Sequence, residues 1–475
     1  MKNSAARRRF NVFVAVLLTV VTLAVFGCAL WYGMRQKPKR GIVIVTALLS
    51  GGLVELKDDG TETVVWDPVP MEEFPIQEVL LPDGSLNMST ELITEILNSF
   101  ENGILDVLDL VTGEDGFINA LKVDKNTGKS VRNIKPATSE TDSHVKYGVL
   151  NVYKQTYDSM VAEYGDEAEI SVFNYDWRLD NAENGRLLEE YINSKGYDEV
   201  ILTSHSMGGN VVSCYLARSE ENRAKVKLYC AYAPSLLGSV DALAYIEDPM
   251  RLGDMLDIDG IKSMLPDAAA GMVGSIVETV LNDVMAEFIR GFTSMYQLFP
   301  SPYLMESAQY SHTGSDYMIT IDGEPIETRE ELIEFYASRP WAFNEDGEPI
   351  YVFQKEANGK TRLENFFDSA YVATDAGLVH STTLVNTVYF VGTGISGRER
   401  ATYITDADGN IVLDRTYNSY DGDNMVLVYS ATAALGPDAP DAYVIDNGSH
   451  GPVGISFDAL LKEKTFEEIN KVWTK

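Results

Sequence analysis

Residues 198–218 read DEVILTSHSMGGNVVSCYLAR, and the rest of the chain is read outward from them. Val200-Ile201-Leu202 is a short apolar run of the kind that forms a buried parallel strand. Ser204-His205-Ser206-Met207-Gly208-Gly209 follows at once, and Val211, Val212, Tyr215 and Leu216 then fall at helical spacing. A strand, a sharp turn with small residues two before and two after a serine, and then a helix is the setting a nucleophile elbow requires. Small neighbours are needed because strand and helix approach closely around a strained serine. The competing reading is a Gly-rich strand-to-helix turn in another kind of α/β protein, but the flanking elements favour Ser206 as nucleophile.

The chain has 475 residues and a formal charge of −33, unevenly spread. Residues 1–40 hold eight bases (Lys2, Arg7, Arg8, Arg9, Arg35, Lys37, Lys39, Arg40) and no acid, which leaves 30 bases against 71 acids, or −41, for the remainder. Such an acidic body would be repelled by nucleic-acid phosphates and by anionic headgroups, so no nucleic-acid partner is expected. Phe10 to Tyr32 is uncharged and apolar, about 23 residues, and as a helix would reach roughly 34 Å, enough to span a bilayer. No convincing cleavage site follows it, so residues 1–40 read as a cytoplasmic tail, an uncleaved single-pass anchor and a short linker. A membrane-anchored catalytic domain on the extracytoplasmic side is the expected arrangement, although four basic residues flank the span on each side. Cys28 lies in the span, while Cys214 and Cys230 read as buried core thiols without metal spacing.

Residues 41–475 read as one α/β domain. Gly41–Val45 is a buried strand, Ala47–Leu53 a small-residue loop, and Thr63–Trp66 a further strand. Residues 89–111 have a helical pattern. From 145 to 233 strands and helices alternate: a helix over Val149–Tyr164, a strand over Glu169–Phe173, the turn Tyr175-Asp176-Trp177-Arg178, a helix around Leu187–Ile192, and then the elbow. That alternation predicts a mainly parallel sheet with crossover helices. It stops at Ala233, and residues 234–375 read as a large, mostly helical cap or lid inserted over the sheet. Thr328-Arg329-Glu330-Glu331 opens a capped helix within it. Sheet strands resume at Thr387–Val391 and Ala442–Ile445, with a hairpin turn at Asp408-Gly409-Asn410 and a closing helix over Phe457–Trp473.

A serine at an elbow needs a base, and the base needs an acid to orient it. In α/β-hydrolases the chain order is Ser, Asp or Glu, His. Of the five histidines, His144 precedes the elbow, His205 is locked inside it, His312 falls in the insertion, and His380 precedes the strand expected to carry the acid. His450, in Asp446-Asn447-Gly448-Ser449-His450-Gly451, follows a strand and is the base candidate. For the acid, Asp421 and Asp423 in Tyr420-Asp421-Gly422-Asp423-Asn424 are both open on residue grounds.

Several motifs together resemble the lecithin:cholesterol acyltransferase-like α/β-hydrolases, which include phospholipid:diacylglycerol acyltransferases and a lysosomal phospholipase. His205-Ser206-Met207-Gly208-Gly209 is similar to the family's HSMGG, and Tyr175-Asp176-Trp177-Arg178 to its YDWR. Ala233-Pro234 with Gly238-Ser239 resembles the entry to its lid, and Leu298-Phe299-Pro300-Ser301 a later lid motif. Gly392-Thr393-Gly394 resembles its GTG, and Gly422 to Ser430, GDNMVLVYS, aligns with its GDGTVPxxS. That last alignment selects Asp423 over Asp421. Thr46-Ala47-Leu48-Leu49 stands where the family has Pro-Gly before its oxyanion residue, and Ser204, Asn424, Met425 and Leu427 are further departures. The resemblance implies a catalytic set of Ser206, Asp423 and His450, with backbone N–H groups of Met207 and Leu48 as the oxyanion hole. It implies no metal and no cofactor. The substrate would be a lipid acyl ester, cleaved through an acyl-enzyme that passes to water or to an acceptor alcohol. The alternative is a non-catalytic, membrane-anchored surface protein that retains the hydrolase fold.

Overall fold

The computed structural model describes residues 37–66, 117–137, 149–248, 286–310 and 317–473. The apolar span Phe10–Tyr32, the pattern at 89–111, and His144 and His312 lie outside these residues. Among the described residues no helix is long and apolar enough to cross a membrane.

Six strands make the central sheet: β1 (Arg40–Val45), β2 (Glu169–Phe173), β3 (Glu199–His205), β4 (Val226–Tyr232), β5 (Thr387–Thr393) and β6 (Ala442–Asp446). Their order is β6-β5-β4-β3-β1-β2, and every neighbouring pair is parallel. This is an α/β-hydrolase-like fold with a parallel central sheet, as the alternation of elements predicts. β1, β3 and β4 are almost wholly buried, which is why they read as continuous apolar runs rather than alternating ones. The first crossover carries α1 (Val149–Tyr164) and the second α2 (Asn181–Lys195). Helix α2 is capped by Asp180, which accepts from Ala182 N, and is stopped by Gly196 at φ 66°. Helix α3 (Gly208–Arg218) follows β3 and buries nearly every residue.

Because chain order reverses beside β1, the loops after β1 and β3 meet at the carboxyl ends of the strands, where such sheets bind ligands. Strand β1 enters from the other end, where Arg40 pairs with Glu199 at 3.0 Å. Residue 40 and Ser206 therefore lie at opposite ends of the sheet.

In its described part the insertion between β4 and β5 is mostly helical, opening with helix α4 (Val240–Glu247), and it also contains short strands. Ile319–Ile321 runs parallel to Gly397–Thr405 of the hairpin that follows β5, and Tyr371–Thr374 pairs with Gly377–His380 in a hairpin of its own. The expected boundary at 375 falls inside that second hairpin. These strands are two to four residues long, too short to leave a period-two signature. Their turns were legible: Asp322 and Gly323 both take positive φ. The capped helix is present at Arg329–Ala337, with Thr328 and Glu331 forming a capping box. Cys214 and Cys230 are free and buried.

Tyr175-Asp176-Trp177-Arg178 fixes the loop after β1. Tyr175 Oη donates to Thr46 O at 2.9 Å and Trp177 Nε1 to Gly51 O at 3.0 Å. Between them Asp176 and Arg178 form a buried ion pair at 2.6 Å, and Arg178 also donates to Leu121 O. Removing one partner of such a pair strands a buried charge. Asp176→Ala is therefore expected to lower unfolding free energy by about 3–5 kcal/mol in a denaturant titration. A loss within the ~0–1 kcal/mol of a surface pair would show that solvent reaches Arg178.

Candidate active site

Ser206 occupies the turn between β3 and α3 with a left-handed backbone, φ 52°. Its two following glycines have separate tasks. A Cβ on Gly208 would lie 2.5 Å from Thr46 O, so this residue lets the elbow abut the loop after β1. A Cβ on Gly209 would lie 2.6 Å from the Pro234 side chain, at the entrance to the insertion. Ser204, two before the nucleophile candidate, is not a passive replacement for glycine. Its Oγ lies 2.6 Å from Tyr229 Oη on neighbouring β4, and both groups are buried.

His450 opens helix α5 (His450–Ile455), directly after β6. Its Nε2 lies 2.9 Å from Ser206 Oγ, and its Nδ1 lies 2.8 Å from Asp423 Oδ2. Asp423 Oδ1 accepts from Val426 N at 2.8 Å and Met425 N at 3.1 Å. The acid is thus fully buried and held on both oxygens, and the histidine is nearly so. His450 N also donates to Asp423 O at 2.9 Å, which pins the base loop to the acid loop by main chain. Asp421 is exposed and contributes only its backbone, accepting from Val428 N. Of the two aspartates open on residue grounds, the fold brings Asp423 to His450.

Main-chain crowding explains the glycines of the remaining motifs. A Cβ on Gly392 would stand 1.9 Å from Gly448 O and 2.8 Å from Asp423 Cβ, so this glycine lets acid and base loops close over the end of β5. Gly238 takes φ 84°, and a Cβ there would meet Phe299 O at 1.9 Å, which joins the lid-entry and Leu298–Ser301 motifs. Ser430 Oγ donates to Gly238 O at 2.7 Å and accepts from Leu237 N, fastening the start of the insertion to the acid segment. Asn424 takes φ 80° where the family motif has glycine; asparagine is among the side-chain-bearing residues that tolerate this region best.

The loop after β1 is held by four further groups. Ala47 N donates to Tyr153 Oη at 2.9 Å, Trp66 Nε1 to Leu49 O at 2.8 Å, and Asn174 Nδ2 to Gly52 O at 2.8 Å, while Ser50 N bonds within the loop to Ala47 O. The positive φ in this loop belongs to Leu49, at 62°, so Ala47 needs no glycine-like backbone. Leu48 is half-buried in the loop and Met207 is buried at the start of α3. Neither backbone N–H has a hydrogen-bond partner among the described residues. Among the described residues there is also no cluster of His, Cys, Asp and Glu able to hold a metal ion. His380 is buried elsewhere, its Nδ1 2.8 Å from Thr382 Oγ1, and burial pushes it down to about 3.

A serine on a strand-to-helix elbow, a base after the last strand and an acid after the penultimate one define an α/β-hydrolase arrangement. Residues 137–338 match the family described as lecithin:cholesterol acyltransferase, which is consistent with an α/β-hydrolase of that kind. The match supports an enzyme that hydrolyses or transfers acyl esters. No curated protein matches the chain. Among solved structures, a chain of the Tle4–Tli4 complex is 13% identical, with 92% of this chain and 99% of that one covered and a TM-score of 0.44. A thermophilic esterase from Thermogutta terrifontis is 11% identical, covering 68% and 87%, with a TM-score of 0.30. Naproxen esterase from Bacillus subtilis is also 11% identical, covering 67% and 80%, with a TM-score of 0.28.

The Ser204–Tyr229 contact gives a test of how the elbow is supported. Ser204→Ala leaves a buried hydroxyl unpaired and is expected to cost about 1–3 kcal/mol. Ser204→Ala with Tyr229→Phe removes both partners and should recover most of that loss in the same unfolding measurement. Equal destabilisation by the single and double variants would show that the hydrogen bond does not support the elbow.

Proposed function

We propose that the chain is a serine acyl hydrolase or O-acyltransferase that acts on lipid acyl esters. The observation that carries the reading is the unbroken line from Ser206 Oγ through both nitrogens of His450 to Asp423, at 2.9 and 2.8 Å. In this reading Ser206 Oγ attacks the ester carbonyl while His450 Nε2 takes its proton. Asp423 fixes the Nδ1–H tautomer and stabilises the imidazolium. The carbonyl carbon becomes tetrahedral, and its oxyanion would accept hydrogen bonds from the N–H groups of Met207 and Leu48. Losing one such donor raises the barrier by ~2.7–4 kcal/mol in a comparable hydrolase. Collapse returns the proton from His450 to the leaving alcohol and leaves an acyl-Ser206. Water or an acceptor alcohol, deprotonated in turn by His450, then releases the acyl group.

A fluorophosphonate probe should label the wild type and fail to label Ser206→Ala. An unlabelled wild type would favour the competing reading, a non-catalytic surface protein that retains the hydrolase fold. Asp423→Asn should reduce turnover by up to about 10⁴-fold, as the corresponding change does in a serine protease. Asp421→Asn should be tolerated, and equal damage from both would move the acid assignment. Product analysis with and without an added alcohol separates transfer from hydrolysis.

The uncharged stretch Phe10–Tyr32 supports a single-pass anchor with the catalytic domain outside the cytoplasm. The linker Gly33–Arg40 reaches at most ~28 Å and joins the end of the sheet remote from Ser206. The anchor would therefore keep the body near its membrane by tethering rather than by aiming the site at it. Deleting residues 1–36 should lower activity on anionic vesicles, because the remaining body, with 33 bases against 71 acids or −38, is repelled by them. Hydrolysis of a short soluble ester should be unchanged. Loss of both activities would mean that the anchor belongs to the fold.

A further inference from the structure

His205 stands one residue before the nucleophile, and nothing in the proposed reaction uses it. Its side chain is buried, 5% exposed, between two helices. On one side is α1, whose Tyr153 leaves helical geometry at φ −109°, ψ 16° and turns its ring edge-on to His205. On the other is α5, which carries His450. The His205 and His450 ring centroids are 5.1 Å apart. A Cβ on Gly454 would lie 1.8 Å from His205 Cδ2, so α5 rests directly on the His205 ring.

The hydrogen bonds around this ring have only one consistent direction. Ala47 N–H donates to Tyr153 Oη at 2.9 Å. Tyr153 Oη lies 3.4 Å from His205 Nδ1, which can accept its proton. His205 Nε2 lies 3.3 Å from His450 O, a carbonyl that can only accept. The ring therefore carries its proton on Nε2 and presents a bare Nδ1 to the tyrosine. Burial, reinforced by the nearby His450, pushes His205 down to about 3, so the ring stays neutral throughout the range in which His450 must work. Burial likewise pushes the Tyr153 hydroxyl up to about 12, so it keeps its proton for donation.

We propose that His205 and Tyr153 are positioning residues that join the oxyanion loop to the general base. Through one continuous run of hydrogen bonds, the backbone of Ala47, next to the oxyanion donor Leu48, is referenced to the backbone of His450. Displacing either end biases the other, so the positions of donor and base on either side of Ser206 are coupled. The second and third bonds are long, which makes them soft springs rather than rigid ties and leaves room for adjustment when an acyl group enters. This inference rests on the Ser206–His450–Asp423 reading, and its test is arranged so that the two can fail separately.

The full chain in detergent is assayed on a short p-nitrophenyl ester as wild type, Tyr153→Phe, His205→Leu and His205→Gln. Leucine fills the volume without donor or acceptor, whereas the glutamine amide can place an N–H near the position of Nε2. Tyr153→Phe and His205→Leu should lower kcat by about ten- to a hundredfold while KM changes little, the signature of misplaced catalytic groups. His205→Gln should recover most of the kcat lost in His205→Leu. If His205→Leu folds and keeps wild-type kcat, or if glutamine gives no recovery over leucine, the coupling is overturned. The second measurement needs no activity: imidazole ¹⁵N spectra of the labelled wild type, with five histidines to resolve and His205→Gln assigning the signal. A neutral His205 protonated on Nε2 and unchanged between about pH 5 and 8 supports the proposal. A proton on Nδ1, or titration in that range, overturns it. A wild type that fails to react with fluorophosphonate would sink the catalytic reading while the spectrum still decides the hydrogen-bond run.

Discussion

The left-handed backbone at Ser206 is the constraint on which the surrounding structure depends. A side-chain-bearing residue at φ 52° costs about 1–3 kcal/mol and persists only where its neighbours over-determine it. Here they do so by contact. Ser206 N donates to Tyr232 O, and Ser206 O accepts from Gly209 N and Ser235 N, so both neighbouring chain directions are engaged. Gly208 and Gly209 let the loop after β1 and the lid entry close on the turn, and Ser204 bonds to β4 beneath it. Four other non-glycine residues with positive φ, Leu49, Ala233, Asn424 and Asn447, lie on loops in the same region. Strain is concentrated at the carboxyl ends of the strands.

That concentration is supported from behind by rigid polar contacts. The YDWR residues and the adjoining Asn174 act on the loop after β1, and Trp66 and Tyr153 add bonds from two further segments. The loop is held from outside, through side chains that bond four of its carbonyls and one N–H. Replacement of Pro-Gly by Thr46-Ala47 is then physically consistent with a loop of fixed shape. The insertion is fastened in the same manner. Gly238, Ser239 and Ser430 tie its entrance to the acid segment, and Asp241 pairs with Arg398 at 2.5 Å. Burial raises Asp241 to about 6, with Arg398 opposing the shift.

The insertion and the acid segment thus form one connected unit. Ile319–Ile321 from the insertion lies alongside Gly397–Thr405, and that strand's hairpin partner leads into the turn bearing Asp423. His450 is linked to the loop after β1 by a separate run of contacts through His205 and Tyr153.

The sequence by itself determined the parallel sheet, because buried strands and amphipathic crossover helices carry strong local periodicity. Apart from β4, the other five central strands and helices α1 and α2 were legible for that reason. The capped helix at 329 and the hairpin at 408–410 were legible from their cap and turn residues. Local context and the scarcity of histidines singled out Ser206 and His450, which the fold brings together, while choosing Asp423 needed the family resemblance, since two aspartates in one turn look alike locally. Tertiary structure decided the rest. That Asp423 is buried against His450 while Asp421 faces solvent depends on how the segment folds back at Gly422. The short strand Ile319–Ile321 of the insertion is completed by Gly397–Thr405 from beyond β5. The role of Ser204 required Tyr229, 25 residues away, and that of His205 required Tyr153 and His450, 52 and 245 residues away. Contacts at such separations leave no periodicity in a single sequence, because their geometry is fixed only when the whole sheet has closed.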